Sequence, residues 1–212
     1  MAEVVTRGSG EHEMVADQAE VRVAYAANAR DRSGAVNALG ERVRGVDAVL
    51  QGEPMAGGVQ VRQRSMHVGD QWDRKRRVGA CAQVQFALRV MDLTVLDDLL
   101  AELFSAEPEW LDGPHWSLAD ETAAVREAQR RAVADARARA EAYAEAVGLR
   151  LGALLKLTDD AAERPYPVMR GAPMTFAAES AAVTRDSVQQ LGLMPEQVTV
   201  HASCAASWAL LD

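Results

Sequence analysis

Apolar residues change their spacing several times along this chain, and each change marks an element. Val4–Arg7 reads as a short extended piece that Gly8-Ser9-Gly10 would end as a bulge or a break. Val21, Val23, Tyr25 and Ala27 then alternate with Arg22, Ala24, Ala26 and Asn28, the period-two signature of a half-buried strand. Over 32–50 the period lengthens, and Val36, Leu39, Val43, Val46 and Leu50 form a helical stripe closed by Gly52-Glu53-Pro54 and Gly57-Gly58. Alternation returns in 59–68 and 78–91 around a polar tip at 69–77, which predicts an antiparallel hairpin. Its second arm places Val78, Ala80, Ala82, Val84, Phe86, Leu88 and Val90 on one face.

The second half repeats the switch. Thr94 is positioned to cap a helix through Phe104, with Leu96, Leu99, Leu100 and Leu103 as its buried stripe. Pro108 and Gly113-Pro114 interrupt the chain, and a short strand is expected at 115–118. Asp120 then stands as N-cap of a long alanine-rich helix over 121–147. Its expected inner stripe is Thr122, Val125, Gln129, Ala132, Ala136, Ala140, Tyr143 and Val147. Outer-face ion pairs are expected for Glu127/Arg131, Arg131/Asp135, Asp135/Arg139 and Arg137/Glu141, and Gly148 suits the left-handed residue past the helix end. A strand over 151–158, an irregular proline-containing stretch over 161–195 and a strong final strand from Val198 to Leu210 complete the reading. This order predicts an α+β fold: a mainly antiparallel sheet with helices packed on one face, in a single domain over 1–212.

Composition narrows the function classes. With 212 residues the chain can bury a substantial core, and its net charge of −8 disfavours general attraction to nucleic acid or an anionic membrane. The N-terminal residues have no signal-like apolar run, and no window has the length of a membrane span, so a cytoplasmic setting is expected. There, Cys81 and Cys204 are expected as thiols rather than a disulfide.

Several segments resemble the SIMPL-domain family, a bacterial domain of unknown function. Ala132-Val133-Ala134-Asp135-Ala136-Arg137-Ala138-Arg139-Ala140, continuing through Ala146-Val147-Gly148-Leu149-Arg150-Leu151-Gly152, is similar to that family's most regular segment. Gly8-x-Gly10 with Asp17-x-Ala19, Leu118-Ala119-Asp120 and the strand 198–210 match further motifs. Met194-Pro195-Glu196 departs from the family's P-G-E, and many relatives carry a signal peptide that this sequence lacks. The resemblance implies a sheet-and-helix fold, frequent homo-oligomers, loose links to stress, and no catalytic residues to carry over.

Direct tests for chemistry are mostly negative. His12, His67, His115 and His201 do not fall at metal-ligand spacing, and there is no C-x-x-C, so neither a metal nor another cofactor is expected. Glu11-His12-Glu13 reads as a solvated turn, and His201, on one strand face with Ser203 and Ser207, as a hydrogen-bonded or exposed side chain. Gly8-Ser9-Gly10 lacks the third glycine of a dinucleotide fingerprint. Two clusters remain. Arg74, Lys75, Arg76 and Arg77, beside Trp72, form a basic tip that could touch an anionic partner, although a solvated hairpin end is the simpler account. Tyr166, Met169, Met174 and Phe176 could serve as a subunit contact, a pocket lid or a disordered loop, with the subunit contact favoured. The expectation is a non-enzymatic, self-associating protein without nucleic-acid or membrane partners. The alternative is a small-molecule binder with a pocket between the sheet and residues 163–194.

Overall fold

A computed structural model describes residues 2–53, 55–159 and 185–212. In chain order the elements are β1 (Glu3–Val15), β2 (Gln18–Ala29), α1 (Arg32–Gln51), β3 (Val59–Asp73), β4 (Arg76–Val90), α2 (Leu96–Ser105), β5 (Trp110–Ser117), α3 (Thr122–Ala146), β6 (Arg150–Asp159), α4 (Arg185–Gln189) and β7 (Gln197–Leu211). The α+β class and the predicted order of strands and helices hold, with α4 as an addition. All strand pairings are antiparallel, and the strands divide between two sheets, ordered β1-β7-β6 and β3-β4-β2-β5. The chain correspondingly forms two compact units.

In the first unit, α3 lies on the β1-β7-β6 sheet. Ala124, Ala128, Ala132, Ala136, Ala140 and Ala144 are its buried positions, a strict spacing of four. This corrects the expected stripe, since Tyr143 and Val147 are each more than 60% exposed. The reason is proximity: a Cβ added to Gly8 would stand 2.0 Å from the Ala132 carbonyl oxygen, and one on Gly10 would stand 2.2 Å from that of Ala128. Only glycine on the strand and alanine on the helix permit that approach. Gly8-Ser9-Gly10 is therefore neither a bulge nor a break, and β1 runs through it in unbroken register with β7. Cys204, Ala206 and Trp208 of β7 complete this core.

Polar groups tie α3 to β1. The Thr6 hydroxyl donates to the Ala136 carbonyl at 2.7 Å, and the Ser9 amide donates to Asp135 at 3.0 Å. Arg131 takes Glu127 and the Glu11 carbonyl instead of the expected Asp135. Glu127/Arg131, Asp135/Arg139 and Arg137/Glu141 pair as anticipated. At the helix start Asp120 accepts from the Thr122 amide at 2.8 Å, one residue outside the geometric cap at Glu121. At its end Gly148 has φ +75°, and the Leu149 amide returns to the Ala144 carbonyl.

The second unit buries Val21, Val23 and Tyr25 of β2 and Val84, Phe86 and Leu88 of β4 against α1 and α2. Leu96, Leu99, Leu100 and Leu103 are buried on α2 as predicted, whereas on α1 Ala35 takes the place expected for Val36, which is exposed. Tyr25 meets Phe86 edge-on, and its hydroxyl donates to the Leu103 carbonyl at 2.9 Å; burial raises the phenol pKa. Asp92, not Thr94, caps the turn before α2, because its carboxylate accepts from both the amide and the hydroxyl of Thr94.

Two strands are longer than their patterns suggested. The hairpin tip shrinks from 69–77 to Arg74-Lys75, with pairing out to Asp73 and Arg76. Both faces of that end meet water, so no apolar alternation is needed there, and Val78 is 56% exposed. β5 begins at Trp110 and passes through Gly113-Pro114, which an edge strand tolerates.

Candidate functional site

Three groupings of polar side chains bear on function, and each is built by local backbone geometry. The first lies on the β3–β4 hairpin. Arg74 occupies the left-handed region at φ 53°, letting two residues reverse the chain and leaving Arg74, Lys75 and Arg76 exposed at its tip. Arg77, already on β4, turns back to Asp70 of β3 at 3.1 Å. Asp70 also accepts from Nε and Nη2 of Arg32, in the first turn of α1, at 3.2 and 2.9 Å. A shallow depression of about 540 Å³ is lined here by Asp31, Arg32, Ser33, Asp70 and Arg77. Asp31 already caps α1 by accepting from the Gly34 amide, and Asp70 holds both arginines. The depression is therefore nearly neutral, and the tip carries the unbalanced positive charge.

The second grouping is on the sheet of the first unit, on the face away from α3. Glu11 of β1 stands opposite His201 of β7 in register, and their side chains meet at 3.2 Å. On the same face the Ser207 hydroxyl donates to Glu3. Cys204 is buried toward α3 on the other face, so the strand separates it from His201 as the spacing required. Neither cysteine takes part in a disulfide.

The third grouping is the charged side of α3. Asp135 is held below the usual carboxylate range, first by the hydrogen bond from Arg139 and then by the Ser9 amide. Glu127 is lowered chiefly by the hydrogen bond from Arg131. These carboxylates are engaged in ion pairs along one side of the helix. Among the described residues no three metal-ligating side chains converge. No helix of the described residues is long and apolar enough to cross a membrane.

Of the predicted contacts, Arg74, Lys75, Arg76 and Arg77 are therefore brought together at one hairpin end, and Arg77 is engaged by Asp70. Tyr166, Met169, Met174 and Phe176 lie outside the described residues, as does most of the 163–194 segment invoked for a small-molecule pocket. Sequence reasoning missed the meeting of Arg32 and Asp70, which are 38 residues apart, and the Glu11–His201 pair, which depends on strand register. It also missed the length of β3 as an exposed edge. The alternation of Arg62, Arg64, Met66 and Val68 carried that signal in part.

Gly8 and Gly10 pack under the period-four alanines of α3, and Gly148 ends that helix in the left-handed region. The model of a family described as SIMPL, a protein of unknown function (DUF541), matches residues 4–208. The chain belongs to the SIMPL family. The match spans both compact units, and this SIMPL protein thus has the α+β fold in two antiparallel sheets. Curated proteins give no match to the chain. The SIMPL family is one of unknown function, so it supplies no catalytic role to test against the three groupings.

Proposed function

We propose that this SIMPL protein is a non-enzymatic, self-associating module whose exposed sheet edges carry assembly. The observation that carries the reading is β3, an edge strand of 15 residues with Val61, Met66 and Trp72 exposed at 45%, 64% and 61%. An unpaired edge of that length with exposed apolar side chains can template pairing with another chain, and β6, the outer strand of the other sheet, likewise exposes Leu154, Leu155 and Leu157. The commitment of the polar groupings to local ion pairs supports the non-enzymatic part.

A cytoplasmic setting belongs to the same proposal, and in it the free Cys81 and Cys204 would stay as thiols. A stress-related role is supported by the family resemblance alone. Sedimentation velocity across a concentration series tests the core of the proposal. A discrete species heavier than the 22.9 kDa chain is expected, and a single monomeric boundary at every concentration would refute it.

A further inference from the structure

We infer that the open face of the β3-β4-β2-β5 sheet binds a neutral, hydroxyl-rich glycan chain, along a row that runs from Trp110 to Ser65. Binding at this face does not depend on self-association. Both α1 and α2 pack on the face that carries Val23, Tyr25, Val84 and Phe86. The register places Trp110, Ala24, Gln85 and Ser65 side by side on the opposite face, one from each strand. At about 4.8 Å between strands the row is roughly 14 Å long, the reach of a short oligosaccharide rather than a single ring.

The chemistry of the row is built locally. Glu107, just past α2, takes φ 51°, and the Glu109 amide then donates to the Ala24 carbonyl at 2.8 Å, which sets Glu109 and Trp110 beside β2. Because Ala24 and Ala26 are small, the Glu109 carboxylate reaches across β2 and accepts from Nε2 of Gln83 on β4 at 2.7 Å. Oε1 of Gln83 in turn accepts from Nε2 of Gln85, at 3.4 Å. This relay orients three planar side chains and uses only part of their capacity. Oε1 of Glu109, Oε1 of Gln85 and the second amide hydrogen of each glutamine have no partner among the described residues. Donors and acceptors thus lie side by side, the pattern that neighbouring sugar hydroxyls, each both donor and acceptor, satisfy in pairs. Trp110, 37% exposed, adds an aromatic ring whose negative face attracts the C–H groups of a sugar.

Other ligand classes fit less well. Arg22, beside this row, is paired with Glu20 at 2.6 Å, and Glu109 carries a negative charge, so a phosphate chain is not favoured. Sheets that read single-stranded nucleic acid stack bases on exposed aromatics. Here the aromatics of the central strands β2 and β4 are Tyr25 and Phe86, and both are buried in the core. The row also lacks the apolar centre of a protein contact, since its exposed members beside Trp110 are Ser65, Gln85 and Glu109.

Saturation-transfer NMR on the full chain tests the site, with maltohexaose, cellohexaose, chitohexaose and mannohexaose as probes and oligothymidylate as the anionic rival. At least one hexasaccharide is expected to receive saturation, with an affinity insensitive to salt. Trp110→Ala and, separately, Gln85→Ala are expected to weaken it at least about tenfold while far-UV circular dichroism is retained. Gln85 is exposed, so its truncation leaves the fold intact even where Trp110→Ala does not. Transfer to none of the hexasaccharides, binding that Gln85→Ala leaves unchanged, or transfer to oligothymidylate alone would each overturn the assignment.

Discussion

Gly8 of β1 and Ala132 of α3 approach so closely that any side chain on Gly8 would begin 2.0 Å from the Ala132 carbonyl oxygen. The obstacle is helix backbone, which cannot rotate away as a flexible side chain would. Gly8→Ala should therefore destabilise the protein by about 2 kcal/mol or more, toward the upper part of the usual overpacking range. Urea unfolding followed by circular dichroism measures it. A loss under about 0.5 kcal/mol would mean that strand and helix separate easily.

Gly45 provides the contrast. It lies inside α1, and a Cβ there meets nothing within 4 Å. Gly45→Ala should stabilise by about 0.5–1 kcal/mol, through the helix propensity of alanine and a less flexible unfolded chain. The same unfolding experiment reads the opposite sign from Gly8→Ala.

The alanine stripe separates two positions that sequence reasoning had placed together. Ala136 is fully buried and Tyr143 is 62% exposed. Ala136→Leu should cost about 1–3 kcal/mol by overpacking, whereas Tyr143→Ala should stay within about 0.5 kcal/mol. Equal losses at both sites would restore the broader stripe and contradict the spacing of four.

Asp135 sets a pH dependence. Arg139 and the Ser9 amide hold its carboxyl below the ordinary value, so its folded pKa is depressed. A depressed pKa contributes stability that is present above the unfolded value, near 3.9, and is lost as pH falls through the folded one. Wild type should therefore exceed Asp135→Asn in stability at pH 7, and the gap should close as the pH drops below about 4. Thermal melts of both proteins from pH 7 to pH 2.5 check this. A gap independent of pH would assign the effect to shape rather than charge.

The parts of the fold that sequence revealed are those where one short pattern has one physical reading. The Leu96–Leu103 stripe, the alternation in β2 and β4, and Gly148 were all legible because burial or φ at each position follows from local spacing. The stripe on α3 was misread because alanine is apolar but small, and only the facing Gly8 and Gly10 reveal that smallness is what the site requires. The hairpin tip was overestimated because polar residues at 69–77 resemble a loop when both faces of a strand pair are solvated. Arg32 with Asp70, and Glu11 with His201, depend on tertiary register that no local pattern encodes.

Native mass spectrometry of the untagged protein addresses assembly most directly. A discrete homo-oligomer built from the 22.9 kDa chain is expected. A wild-type spectrum of monomer alone at tens of micromolar would contradict it.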